Sequence, residues 1–273
     1  MTDSAAAFPA PMLLFGCGNM AGAMVTGWMA AGVPGAHFHI VKPTDRNIPA
    51  DARHFTTADQ PGQKYDQLMI GIKPYMLAEM AQEIAALLNP GALVISIMGG
   101  VSTDSLARHF PGARILRVMP NLAVALGKSP LGLFAKGLSE ADKADAEKWL
   151  CALGTPYWMP AEEDMHAFTA IAGCAPAYLY RFIDALAAAG TKLGIEAEQA
   201  ERLAREMTEG AALLAAQSPF PPAELASRVA SKGGSTAAGL AVMDEDKAIL
   251  RLMENTLRAA HDRSVEQGKE AEA

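Results

Sequence analysis

The stretch Met12-Leu-Leu-Phe15-Gly16-Cys-Gly18-Asn-Met-Ala21-Gly22 decides the reading of the fold. Four apolar residues make a short buried strand, and Gly16 and Gly18 end it in a tight turn. The pattern then becomes helical over residues 19–31, and Gly32 supplies a normal C-terminal stop. Gly16-x-Gly18-x-x-Ala21 therefore follows a strand and opens a helix, the setting that a dinucleotide pyrophosphate requires. Gly16 permits the turn, and Gly18 lets backbone approach the phosphates. Ala21, or Gly22 beside it, keeps the helix close to the sheet. Free N–H groups at the helix start, around Asn19 and Met20, then face the anion with the helix dipole behind them.

Outward from this turn, residues 37–41, 68–72, 93–97 and 114–118 read as further strands, with 131–135 and 157–159 as additional candidates. After Lys73-Pro74 a helix shows apolar positions at 77, 80, 84, 87 and 88. Strands separated by helices of this length imply crossovers, hence an α/β fold with a Rossmann-type, doubly wound and mostly parallel sheet. Beyond Pro160 the character changes. Residues 162–268 offer helical periodicity, alanine-rich stretches and no strand. The expected organisation is a dinucleotide-binding domain over 1–160 and a helical domain over 161–273.

The end of the second strand bears on which dinucleotide is bound. NAD-selective sites usually carry an acid there for the ribose 2′-hydroxyl. Here the strand runs into Lys42-Pro43-Thr44-Asp45-Arg46, and Lys42, Thr44 and Arg46 suit a 2′-phosphate instead. NADP(H) is the expected cofactor, in preference to NAD(H), although Asp45 cuts against it.

Composition narrows the remaining classes. Of 273 residues, 51% are hydrophobic and 19% charged, which fills a core and excludes wholesale disorder. A net charge of −7 is the wrong sign for a phosphate-backbone binder, so nucleic acid is not an expected partner. No Lys, Arg, Asp or Glu occurs between Asp3 and Lys42, a length that would allow a membrane span. The glycines and Asn19 within it suit a turn, so no membrane segment is expected. Three scattered cysteines make no disulfide framework and fit a reducing cytoplasm. Six scattered histidines without HExxH or a Cys/His cluster argue against a metal site. His37 and His39 are read as sharing one strand face at a sheet edge. Glu162-Glu163-Asp164 and Asp244-Glu245-Asp246 are read as solvated turns.

Two polar stretches lie in otherwise apolar or glycine-rich surroundings. Arg117-Val-Met-Pro-Asn121 falls at the carboxyl end of a strand, where open α/β sheets bind ligands. Ser231-Lys-Gly-Gly-Ser-Thr236 is a small-residue loop whose successive N–H groups suit an anion nest, or a helix N-cap at Ser235 or Thr236.

These motifs, in this order, resemble the pyrroline-5-carboxylate reductases. The resemblance spans about residues 12–244 and rests on Gly16-Cys-Gly-Asn-Met-Ala21, Lys73-Pro74, residues 96–101, Arg117-Val-Met-Pro-Asn121, Gly173-Cys-Ala-Pro-Ala-Tyr178 and residues 231–240. It implies a helical domain that dimerises, with each active site at the subunit junction, and a small cyclic imino acid as substrate. It further implies that the N–H groups of Gly233, Gly234 and Ser235 hold the substrate carboxylate and that the Thr236 hydroxyl hydrogen-bonds the imine nitrogen. Lys73, Pro74 and Asn121 would line the nicotinamide half of the cofactor. Three departures stand out. Cys174 and Ala175 replace the family's serine and glycine, and Lys232 replaces a proline, putting a cation beside the carboxylate loop. They leave open a reductase of another cyclic imine or imino acid. A nucleotide-binding regulatory protein without chemistry is a further alternative, and a hydroxyacid dehydrogenase using Lys192 is another.

Overall fold

The structure is a computed structural model that describes residues 7–9, 11–46, 48–49 and 51–272. Eight strands form one sheet: β1 (Met12–Phe15), β2 (Phe38–Val41), β3 (Arg53–Phe55), β4 (Tyr65–Ile70), β5 (Leu88–Ser96), β6 (Arg114–Met119), β7 (Ser129–Lys136) and β8 (Gly154–Trp158). Their order is β3-β2-β1-β4-β5-β6-β7-β8, with every pair parallel except β6 and β7. The chain runs outward from β1 to β3 and then returns to lay β4 on the other side of β1. That reversal opens a crevice at the carboxyl ends of β1 and β4, the usual ligand position in such sheets.

Both faces of the sheet are apolar, which is why its strands read as continuous hydrophobic runs. Met12 and Leu14 point into a core with Met24, Trp28, Phe38 and Trp149. Leu13 and Phe15 point into the opposite core with Leu68, Ile84, Leu106 and Phe110. Helix α1 (Asn19–Ala30) covers the first face, where Phe8, Trp28, Phe38 and Trp149 pack edge to face or tilted with ring centroids 5.0–6.2 Å apart. Helices α2 (Leu77–Ala86) and α3 (Thr103–His109) supply Leu77, Ala81, Ile84 and Leu106 to the second face. Helix α4 (Glu140–Leu150) starts in a reciprocal capping box between Ser139 and Asp142.

After β8 every described element is helical: α5 (Asp164–Phe168), a π turn (Thr169–Cys174), α6 (Ala175–Lys192), α7 (Ala197–Gln217), α8 (Pro222–Arg228), α9 (Ser235–Asp244) and α10 (Ala248–Glu272). The strand-to-helix change falls where the sequence places it. By contacts, however, one compact unit takes Met1–Gly173 with Ala260–Ala273, and the other takes Cys174–Ala259. Within the second unit α6 packs on α7, yet among the described residues α6, α8 and α9 bury nothing. Among the described residues no helix is long and apolar enough to cross a membrane. Residues 12–30 of the apolar run form a strand, a turn and a helix.

Several local expectations need correction. β3 was not foreseen: its three residues are exposed or half-buried and carry no apolar alternation. It covers the outer side of β2, so His39 is not at an edge. His39 is buried against Phe55 and Tyr65, while His37 precedes β2 and stacks on Phe8. Leu88 belongs to β5 rather than to the preceding helix, because β5 begins five residues earlier than expected and runs through Asn89-Pro90-Gly91.

Candidate functional site

The glycine turn is built as its sequence requires. Gly16 sits at φ +85°, and a Cβ there would lie 2.9 Å from Ile72 Cγ2 and 3.0 Å from the Gly71 carbonyl. Gly71 donates its N–H to the Phe15 carbonyl at 2.9 Å, so the loops after β1 and β4 are laced together at the crevice. Gly18 has nothing within 4 Å of its Cβ position, which leaves an open approach for a phosphate. It also caps α1 without a side-chain hydrogen bond, and the first turn of α1 holds no acid. The N–H groups at Asn19 and Met20 thus lack a competing capping carboxylate, and the turn fits a dinucleotide pyrophosphate. Ala21 is buried, as expected. The closest approach of the helix lies further along, at Gly27, where a Cβ would come within 2.2 Å of the Val124 carbonyl. Sequence gave no signal for that contact, because Val124 is 97 positions away.

At the end of β2, Lys42 donates its N–H to the Phe55 carbonyl at 2.9 Å, and its carbonyl takes His54 Nε2 at 2.8 Å. The Lys42 ammonium closes the loop onto the Arg46 carbonyl. Thr44 and Arg46 are exposed. Burial pushes the Cys17 thiol up, and the nearby Lys42 charge works against that rise. Cys17 therefore remains a neutral thiol within the turn. Lys73 is exposed and starts a short 3-10 turn with Pro74 in its first position.

The amide of Asn121, a residue expected along the nicotinamide, makes two hydrogen bonds within the fold. Oδ1 accepts from Ala123 N at 2.9 Å and Nδ2 donates to the Ala172 carbonyl at 2.9 Å. Four residues before it, Arg117 is buried in β6 and paired at 2.5 Å with Glu162. Glu162 also accepts the N–H and hydroxyl of Thr103, each at 2.7 Å. Its expected place in a solvated turn was wrong, because an arginine inside a sheet must find a carboxylate.

In the second unit, Ser231 opens a turn in which Gly234 N–H donates to the Ser231 carbonyl at 2.9 Å and Gly233 adopts φ +76°. The helix cap is Gly234, not Ser235 or Thr236, and no side chain caps α9. Two consequences follow. The Gly234 N–H is spent in the turn and is removed from the expected carboxylate set. Ser235 and Thr236 become the first helical residues, with their N–H groups at an uncapped helix start. Thr236 is exposed, and its hydroxyl makes no hydrogen bond among the described residues. Lys232 is exposed and carries no ion pair among the described residues. Nearer the chain's entry to this unit, burial and the neighbouring Cys174 thiol push the Tyr178 hydroxyl up. Among the described residues no cluster of His, Cys, Asp or Glu is arranged to hold a metal.

Known proteins place this architecture. A reductase from Haemophilus influenzae named pyrroline-5-carboxylate reductase is 34% identical over 258 residues, covering 92% of this chain and 95% of the relative. The chain belongs to the pyrroline-5-carboxylate reductase family. The Pseudomonas aeruginosa member is 33% identical, covering 94% and 96% of the two chains. Residues 162–267 match the family model for pyrroline-5-carboxylate reductase dimerisation, and residues 12–100 match that for coenzyme F420-dependent NADP oxidoreductases. Among solved structures, a Coxiella burnetii pyrroline-5-carboxylate reductase superposes with a TM-score of 0.85 at 27% identity, covering 94% of this chain and 98% of its own. The Plasmodium falciparum pyrroline carboxylate reductase, solved with NADP bound, gives 0.84 at 26% identity, with 95% and 98% covered.

Proposed function

We infer that this protein is a pyrroline-5-carboxylate reductase: a nicotinamide-nucleotide-dependent oxidoreductase that reduces the C=N bond of 1-pyrroline-5-carboxylate and yields L-proline. Family membership over nearly the whole chain carries this reading. The uncapped glycine turn at the sheet's switch point supports it independently. A bound nicotinamide nucleotide would supply the hydride for the imine carbon, and the ring nitrogen would take a proton.

The chain's own residues divide the work. Gly16, Gly18, Asn19 and Met20 hold the pyrophosphate through backbone N–H groups. Lys42, Thr44 and Arg46 form the 2′-phosphate pocket, which favours NADP(H) over NAD(H). Lys42, rather than an acid, directly after the last residue of β2 supports that preference. Lys73 and Pro74 shape the crevice beside the nicotinamide. The N–H groups of Gly233, Ser235 and Thr236 bind the substrate carboxylate, with Lys232 adding a cation beside them. The Thr236 hydroxyl donates to the imine nitrogen. A strong acid is unnecessary, because the ring nitrogen gains basicity as the hydride arrives and the proton handed on by the Thr236 hydroxyl is replaced from solvent.

The functional form is a homo-oligomer with the active site at the subunit junction. Exposed Leu179, Phe182, Leu186, Leu203, Met207 and Leu214 on α6 and α7 support this, being an apolar surface that a lone chain leaves in water. The domains are proposed as 1–160 for the nucleotide and 161–273 for dimerisation and substrate, in the cytoplasm.

The test is turnover with NADPH on five- and six-membered cyclic imino acids. Higher kcat/KM on the five-membered ring is the expected result. A strong preference for the larger ring would instead assign Cys174, Ala175 and Lys232 to a different substrate.

A further inference from the structure

A second group of nitrogen donors meets at the amino ends of the strands, opposite the glycine turn. Pro11, Ala36, His37, His39, Arg53 and Gln63 line a cavity of ≈ 360 Å³ there. Pro11 precedes β1, His37 precedes β2, Arg53 begins β3 and Gln63 precedes β4, so the cavity collects four separate segments. No acid lines it, and Arg53 is exposed and enters no ion pair among the described residues. Ligand crevices of such sheets lie at the carboxyl ends, so this cavity is outside the nucleotide site.

His39 is 5% exposed, and its one hydrogen bond among the described residues joins Nδ1 to the Tyr65 hydroxyl at 2.7 Å. Tyr65 is 1% exposed, so its O–H must find an acceptor or stand unpaired away from water. Gln63 favours the ionised form of that oxygen, as a donor does, and so does not take the hydrogen. The Tyr65 hydroxyl therefore donates to His39 Nδ1. Burial, and then the Arg53 charge, lower the pKa of His39 and keep its ring neutral. A neutral imidazole that accepts at Nδ1 carries its hydrogen on Nε2. That N–H has no partner among the described residues and is left for the cavity. His39 and Arg53 are also register partners on neighbouring strands. Their side chains leave the same face of the sheet about 4.8 Å apart.

We propose that this cavity is a second anion site, built for a tetrahedral oxyanion of the phosphate class. The Arg53 guanidinium supplies the charge and a planar pair of donors for two oxygens. His39 Nε2–H, held in direction by Tyr65, supplies a donor for a third. A carboxylate has only two oxygens, which is why the phosphate class fits better. The bound ion bridges β2 and β3 and pins an edge strand of three residues. The site stands apart from the reductase reading and from the turn at Gly16 and Gly18.

The test is calorimetric titration of inorganic phosphate into protein saturated with NADP+, so that the nucleotide site is already filled. One further site is expected. Arg53→Gln should weaken it about tenfold or more, the loss of a charged two-point partner, and leave the NADP+ dissociation constant unchanged. The ring-nitrogen NMR signals of His39 should show the proton on Nε2 and should move on adding phosphate. Backbone hydrogen exchange over residues 53–55 should slow at the same time. Glycerol 3-phosphate binding more tightly than inorganic phosphate assigns a phosphate ester, and the reverse order assigns the free ion; either keeps the site. The proposal is overturned by no phosphate binding to the NADP+-saturated protein, or by undiminished binding in Arg53→Gln. Acetate binding as tightly as phosphate overturns it too, as does a His39 ring with its proton on Nδ1.

Discussion

Gly16 and Gly18 serve one turn for different reasons, and substitution separates them. At Gly16 an added methyl meets Ile72 and the Gly71 backbone, at a φ of +85° that side chains rarely adopt. Gly16→Ala should lower the urea midpoint and weaken NADPH binding together. Gly18→Ala finds open space, so its midpoint should hold while NADPH affinity falls; wild-type affinity in a fluorescence titration would contradict the pyrophosphate assignment. Thr236→Ala should lower kcat about tenfold or more, near the low edge of general-acid effects, with the protein still folded. Unchanged turnover would remove Thr236 from the donor role. Buried His39 has its pKa lowered, first by burial and then by the Arg53 charge. Its folded value therefore lies below the unfolded value of about 6.5. The unfolded chain binds the extra proton first, so stability present above that pH is lost as the solution is acidified towards the folded value. His39→Gln should flatten that part of the stability–pH curve; an unaltered curve would assign the loss elsewhere. The glycines were legible because their reason is local. The use of Asn121 was not, since its partner lies 51 residues away and only the folded chain brings them together.

At the scale of elements, the strands most legible in the sequence were those with both faces buried, β1, β2 and the centres of β4, β5 and β6. A fully buried parallel strand shows as an apolar run. The three-residue edge strand β3 shows no apolar alternation and is a strand through its pairing with β2, while Asn89-Pro90-Gly91 within β5 carries turn chemistry and spans the register shift against β4. The Arg117–Glu162 pair stayed hidden for a similar reason. Arg117 has 5% of its side chain exposed and Glu162 20%, and together with Thr103 they tie β6 to the starts of α3 and α5. Arg117→Ala leaves that carboxylate buried without its cation, a loss expected to cost about 3 kcal/mol, the low end for a broken buried pair. Replacing both residues by leucine should cost less than the single change. Equal or greater loss in the double variant, by urea unfolding, would show that the pair itself stabilises the fold.

For the whole molecule, the helical unit is what a single chain explains least. Ala200 and Ala204 are the buried residues of α7, while Leu193 is 86% exposed, Val242 69% and Leu214 64%. Helices with so little core gain stability from a second copy, so the unfolding temperature should rise with protein concentration. Leu179→Asp, placed on that apolar surface, should shift sedimentation towards monomer; an unchanged oligomer would move the interface elsewhere. The helical half was legible as helical, and its long apolar faces were legible as unusual. The central claim remains chemical: this chain passes a hydride to a carboxylated cyclic imine. The most direct test is the loss of NADPH absorbance by the purified protein with 1-pyrroline-5-carboxylate, with NADH run beside it and proline measured at the end. Saturable oxidation, faster with NADPH and matched mole for mole by proline, is the predicted result. NADPH binding without turnover of this imine would contradict the account.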